Sequence, residues 1–264
     1  MISVPAILDW PMWIAGFVFL VGGAAFGVGA VFALRPLVKR YYGEQHNFVF
    51  SNSFGAASTL FAIVAGLLVF AVVGAFGTAS SRCASEAAAL RQMYRNVQVF
   101  PEPQKTQAQD VIMQYTKSVI VDEFPTMADN EASPKTALAM DTMFGVIGTM
   151  TPDRSWSDQY SLVSEKMTDV VALRVGRVES SEPVLSPIYL LLLLFGATMT
   201  VLCLAMQYME NRTMHAIAVG AVAMALTSVL FLLVQVNNPY NGEISVKPHN
   251  FTTALAAMVA VGKP

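Results

Sequence analysis

FGAASTLFAIVAGLLVFAVVGAF, residues 54–76, runs for 23 residues without an Asp, Glu, Lys or Arg. At 1.5 Å of rise per residue, a helix of that length matches a hydrocarbon core roughly 30 Å thick. Three further stretches meet the same criterion: Met12–Leu34, Pro187–Met206 and Met214–Val236. They fall as two pairs around a polar insert, residues 78–186. The chain therefore reads as an all-α, polytopic membrane protein with four transmembrane helices and a helical extramembrane insert between helices 2 and 3. Its order is residues 1–77 (helices 1 and 2), 78–186 (the insert), 187–236 (helices 3 and 4) and 237–264 (a C-terminal tail).

Composition supports the same class. Hydrophobic residues make up 55% of the chain, charged residues 13%, and mean hydropathy is +0.52, all displaced from soluble averages. A net charge of −2 argues against a nucleic-acid partner, which needs a concentrated basic surface. No Lys/Arg cluster adjoins a membrane helix in sequence, so a polybasic lipid site is not expected. Cys83 and Cys203 are predicted at depths that differ by most of a bilayer, too far apart for a disulfide. The first apolar stretch is too long for a signal-peptide core, and Asp9 precedes it with no Lys or Arg, so it reads as a retained helix.

Local signals set the expected boundaries. Helix 1 is expected to stop at Leu34-Arg35-Pro36, and Ser51-Asn52-Ser53 to cap helix 2. Helix 2 continues as a stalk over 78–99, with Ala87, Leu90, Tyr94 and Val97 at helical spacing, until Pro101 and Pro103 break it. Further helices are expected over 104–124, from the Ser133-Pro134 cap to about Met150, and over 155–178. Helices 3 and 4 form a hairpin around Tyr208–Thr213. Asn237–Gly242 is rich in turn residues, Ile244-Ser245-Val246 reads as a short strand, and a last helix begins at Asn250.

With four spans, both termini and the insert share one side. The short loops carry Arg35, Lys39, Arg40 and Arg212, which places them in the cytoplasm and the insert outside. Arg82, Arg91, Arg174 and Arg177, near the membrane ends of the insert, count the other way. Asn211 and Asn250 both head glycosylation sequons but lie on opposite sides of this topology.

Catalytic constellations are hard to find. His46, His215 and His249 show no metal-ligand spacing, and there is no CxxC pair, nucleophile elbow or phosphate loop, so no metal, cofactor or enzymatic activity is expected. The insert holds 14 acids against 10 bases, and Asp122-Glu123, Asp129 with Glu131, and Glu179 with Glu182 read as solvated surface. Glu86 lies just beyond the membrane boundary, where an ion pair with Arg82, Arg174 or Arg177 is expected. No membrane helix carries an internal ionisable Asp, Glu, Lys or Arg, which argues against a proton-coupled pump.

Two helix faces stand out. Gly16, Gly23, Gly27 and Ala30 share one side of helix 1 and permit close helix packing, within the chain or between copies. On helix 2, Phe54, Ser58, Phe61, Ala65, Leu68, Val72 and Phe76 form a stripe. It reads either as a pore lining with aromatic constrictions or as a packing face. Ser51, Asn52 and Ser53 present hydroxyls and an amide that attract an anion at a helix end, or merely cap the helix.

Three stretches carry a family likeness: Asn47-Phe48-Val49 through Thr59-Leu60-Phe61-Ala62; Glu86–Leu90, Met93-Tyr94-Arg95, Phe100-Pro101-Glu102, Tyr115, Asp122–Met127 and Ser133-Pro134; and Asn238–Pro248 with Phe251. In that order they resemble the bacterial bestrophin-like membrane family. The likeness implies a bacterial inner-membrane protein related to bestrophins. Those are pentameric anion channels with four membrane helices per subunit, a pore lined by helix 2 with a phenylalanine neck, and a cytoplasmic helical region. No acidic cluster here has the spacing of a calcium clasp. Two functions are therefore expected to compete: a homo-oligomeric ion channel with helix 2 at its axis, and a non-catalytic accessory or scaffold subunit of a larger membrane complex. The bilayer and either self-association or another membrane protein are the expected partners.

Overall fold

A computed structural model describes residues 11–43 and 45–261. The described residues form helices and connecting turns, and none of them forms a strand. The elements are α1 (Met12–Tyr41), α2 (His46–Asn96), α3 (Gln104–Ser118), a π-helical turn (Val119–Glu123), α4 (Phe124–Ala128), α5 (Pro134–Gly148), α6 (Ser157–Glu179), α7 (Pro187–Ala205), α8 (Arg212–Val236) and α9 (His249–Val261). Four of them, α1, α2, α7 and α8, are long and apolar enough to cross a membrane.

The chain divides into two compact units, one holding the chain up to Gly74 with Val184–Asn237, the other Ala75–Pro183 with the chain from Asn238. The first is organised by α1 and α8. Phe19 faces Phe231 with ring centroids 5.3 Å apart, Gly23 faces Thr227, and Gly27 faces Ala223, so the numbering runs oppositely and the helices are antiparallel. A Cβ on Gly23 would lie 2.2 Å from the Thr227 hydroxyl. One on Gly27 would lie 2.8 Å from both the Ala223 side chain and the Val219 carbonyl. The backbones thus meet at a distance only glycine permits, whereas a Cβ on Gly16 would lie 3.4 Å from the Phe231 ring, an ordinary contact. Ala30, Val31, Val201, Ala205, Ala216, Val219 and Ala223 complete a core of small side chains.

Two sequence expectations are corrected in this unit. α1 does not end at Pro36 but continues to Tyr41. The proline removes one helical hydrogen bond, yet buried Val38 packs the extra turn, and Arg35 Nη1 and Nη2 donate to the Met209 and Glu210 carbonyls at 3.3 Å. α2 begins at His46, not at Ser51–Ser53, because the preceding residues are tied to the α7–α8 hairpin. A His46 ring nitrogen bonds the Met206 carbonyl at 2.7 Å, and the Asn47 amide donates to Tyr208 O at 2.8 Å and accepts from Tyr208 N at 2.7 Å. Ser51, Asn52 and Ser53 consequently sit exposed in the second turn, with Asn52 Nδ2 bonded to Phe48 O. A ring nitrogen of His215 lies 3.1 Å from Leu204 O in the same hairpin. Asn211 caps α8 through Met214 N, and Asn237 closes its other end by pairing with Leu185 N at 2.7 Å and Leu185 O at 3.2 Å.

The second unit has a larger core rich in methionine: Leu90, Met93, Ile112, Tyr115, Met127, Met143, Ile147, Phe251 and Met258. Ser133 caps α5 by accepting from Thr136 N, with Pro134 at the first helical position. The tail joins this unit through Phe251, Ala254 and Met258 of α9. The strand expected at Ile244–Val246 is absent. With no neighbouring strand to pair with, the segment makes turns, positive φ falls on Gly242, and Val246 N donates once, to Pro239 O at 2.8 Å.

Substituting Gly27→Val should cost at least about 2 kcal/mol, because its contacts include a carbonyl that cannot yield. Gly22→Ala, which would point into open space, should be neutral. Thermal unfolding of the purified protein in detergent separates the two.

Candidate functional site

The membrane part of α2 has two unlike faces. Phe61 (7% exposed), Ala65 and Val72 are buried among the chain's own helices, with the Phe61 ring 3.4 Å from where a Gly196 Cβ would lie. Phe54, Ser58, Leu68 and Phe76 on the same side are half-buried. At Phe61, Ala65 and Val72 the stripe thus packs inside the chain, while Phe54, Ser58 and Phe76 keep part of their surface open.

A second line, about a third of a turn round the helix, carries Asn52, Gly55, Thr59, Ala62, Gly66, Phe70, Val73 and Gly77, all exposed. Gly55, Gly66 and Gly77 are eleven residues apart, three helical turns, and a Cβ on any of them would meet nothing within 4 Å. Phe70, 79% exposed, is the one large ring on this line. The Thr59 hydroxyl donates to Gly55 O at 2.8 Å, which leaves its lone pairs outward. This face escaped the periodicity argument because glycine and threonine do not register as a hydrophobic stripe.

The second candidate is a buried charge network in the insert unit. Arg177 of α6, Glu86 of α2 and Glu123 of the π-helical turn are each fully buried. Arg177 Nε and Nη2 donate to the two Glu86 oxygens at 2.7 and 3.1 Å, and Nη2 also reaches Glu123 Oε2 at 2.6 Å. Arg174 Nε donates to Glu123 Oε1 at 3.1 Å, and Tyr115 Oη donates to Glu86 Oε1 at 2.7 Å. The Phe124 and Phe251 rings flank the Arg177 guanidinium at 5.8 and 5.4 Å. Two cations thus answer two anions. Burial opposes the Arg177 charge, but Glu86 and then Glu123 outweigh it and hold the guanidinium ionised. Burial, then the Glu86 charge, pushes the Tyr115 phenol well above its usual range, so it stays protonated and a donor.

Of the residues expected to pair, Arg177 meets Glu86, while Arg174 meets Glu123. Arg82 turns instead to the Gly176 carbonyl and the Ser180 hydroxyl. Glu123, read as solvated surface beside Asp122, is instead buried, which corrects that expectation. The π-helical turn accommodates one extra residue and swings the carboxylate inward, and no local sequence signal marks it. No buried side-chain nitrogen or oxygen of this network lacks a partner, and the arrangement locks α2, α6 and the π-helical turn together. Among the described residues no three potential metal-ligating side chains converge.

A family model described as "Bestrophin-like domain" matches residues 21–251. No curated protein matches the chain. Crystal structures of point variants of a bacterial bestrophin homologue from Klebsiella pneumoniae share its fold. Two of them superpose with a TM-score of 0.74 at 13% and 14% identity, each covering 94% of this chain and 99% of theirs. A third gives 0.72 at 13%, covering 92% and 97%.

Arg177→Met should destabilise the insert unit by about 3–5 kcal/mol, because it leaves Glu86 buried without a counter-charge while Glu123 keeps Arg174. Adding Glu86→Gln to that variant should recover part of the loss. Unfolding midpoints of the single and double variants test the coupling.

Proposed function

The chain belongs to the bestrophin-like family, and on that premise we propose that it is a homo-oligomeric anion channel of the bacterial inner membrane, with α2 lining the pore. The observation that carries the reading is the open Gly55–Gly66–Gly77 face. A helix face turned toward lipid gains from bulky side chains, whereas glycine gains only where another surface comes close or a path must stay wide. Thr59 supplies hydroxyl lone pairs and Asn52 an amide near one end of this face, and Phe70 is placed to narrow it. Apolar stretches without an internal Asp, Glu, Lys or Arg suit passive conduction rather than coupled pumping.

The alternative is a non-catalytic accessory or scaffold subunit of a larger membrane complex. It is favoured by the burial of Phe61, Ala65 and Val72, the middle of the phenylalanine stripe, within the chain. Charge asymmetry between the short loops and the first described residues supports a periplasmic insert with both termini on that side.

Native mass spectrometry of gently extracted protein should show a closed homo-oligomer of this chain. A monomer, or a fixed complex with unrelated chains, would favour the accessory reading. In liposome halide flux, Phe70→Ala should change the rate severalfold, while Phe61→Ala should leave per-channel flux alone and cost about 3–5 kcal/mol of stability. For the topology, a Ser155→Cys variant on a background with Cys83 and Cys203 replaced should react with an impermeant maleimide added to intact spheroplasts. Labelling only after lysis would reverse the orientation.

A further inference from the structure

The continuation of α1 past Pro36 changes what its last turns present. Lys39 lies one turn beyond Arg35 on the same face, about 6 Å along the axis at 1.5 Å per residue. The antiparallel α1–α8 contact brings in the start of α8, where Arg212 stands over the Phe32 ring at 5.3 Å. Arg35 is half-buried, sits 5.9 Å from the Tyr208 ring and holds the hairpin carbonyls, so it anchors the site rather than facing solvent. Lys39, Arg40 and Arg212 are exposed, and among the described residues none of these four cations lies within ion-pair distance of a carboxylate. Cations scattered in sequence over 35–40 and 212 thus become one patch on one end of the membrane unit.

Around this patch stand exposed aromatic rings: Phe32, Tyr41, Tyr42 and Phe48. Arg40 lies over the Tyr41 ring at 5.7 Å, and Tyr42 stacks on Tyr208 at 4.4 Å. Exposed rings, two of them tyrosines, beside cations that pair with no described carboxylate, at the end of membrane-spanning helices, match the headgroup level of a bilayer. At the other ends of α1, α7 and α8, Pro11–Trp13, Ile188-Tyr189 and Val236 bring no cation among the described residues. The patch is also held in shape, since His46, Asn47 and Arg35 fix the α7–α8 hairpin against the α1–α2 turn.

We propose that this cationic, aromatic-rimmed end of the α1–α8 pair is a seat for the phosphate headgroup of an anionic phospholipid. Lys39, Arg40 and Arg212 bind the charge, and Tyr41, Tyr42 and Phe48 embed at the acyl boundary. The seat depends on the membrane-spanning class alone and holds for a channel or an accessory subunit.

The test uses full-length protein reconstituted in vesicles of phosphatidylcholine mixed with phosphatidylglycerol, followed by native mass spectrometry of retained lipid. The wild-type protein should keep phosphatidylglycerol over phosphatidylcholine by at least about tenfold, with the preference falling as salt rises. A Lys39→Gln/Arg40→Gln/Arg212→Gln variant, which spares the structural Arg35, should approach parity. An Arg91→Gln/Arg95→Gln/Lys117→Gln variant, with the same loss of charge in the insert, should keep the preference. Equal retention by the first variant, equal loss in the second, or displacement of the lipid by inorganic phosphate would each overturn the proposal.

Discussion

Hydrocarbon supplies no partner to a peptide N–H or C=O, so every backbone group at that depth must be satisfied within the chain. Most features of the first unit follow from that constraint. It requires helices of at least 19 residues, as in α7, and it leaves van der Waals contact and close backbone approach to hold them together, since lipid tails compete equally for apolar side chains. Gly23 and Gly27 answer this by letting α1 close onto Thr227 and Ala223. The helix ends, where carbonyls and amides run out of helical partners, are the places where polar side chains gather. Asn47, His46 and Arg35 serve one end of the α7–α8 pair, and Asn237 serves the other.

The insert unit solves a different problem. Its helices carry charge into an interior dry enough to bury Arg177 completely, and an isolated guanidinium there would be prohibitively costly. Glu86 and Glu123 come from separate elements, α2 and the π-helical turn, so the cation can be satisfied only when those elements and α6 are in one arrangement. Tyr115 fills a remaining site on Glu86, and Phe124 and Phe251 seal the guanidinium faces, which ties α9 to the same centre. Methionine dominates the surrounding core, and its flexible side chain suits the irregular space that a helix with a π turn leaves.

The four membrane helices, the Ser133-Pro134 cap and the helical insert were legible from sequence because each has a local cause: a run of uncharged residues, a hydroxyl ahead of proline, a 3.6-residue period. The start of α2 was not. Ser51–Ser53 is a better cap by composition than His46, and what overrules it is a set of bonds to residues about 160 positions away. The orientation of α2 was hidden for a related reason. A membrane helix is apolar all round, so the phenylalanine period shows that a face exists without showing whether chain, lipid or pore covers it. Glu123 was misread because its neighbour Asp122 is half-exposed, as an acidic pair usually is, and a one-residue π insertion leaves no compositional trace.

The eleven-residue interval between Gly55, Gly66 and Gly77 also has a handedness. Three turns in eleven residues is about 3.67 per turn, slightly more than the 3.6 of a straight α-helix, so a seam that follows these glycines drifts slowly around the helix. Helices that stay in contact along such a seam must coil around one another in the right-handed sense, opposite to the heptad coiled coil. A ring of α2 helices meeting along this line would carry that twist as a whole.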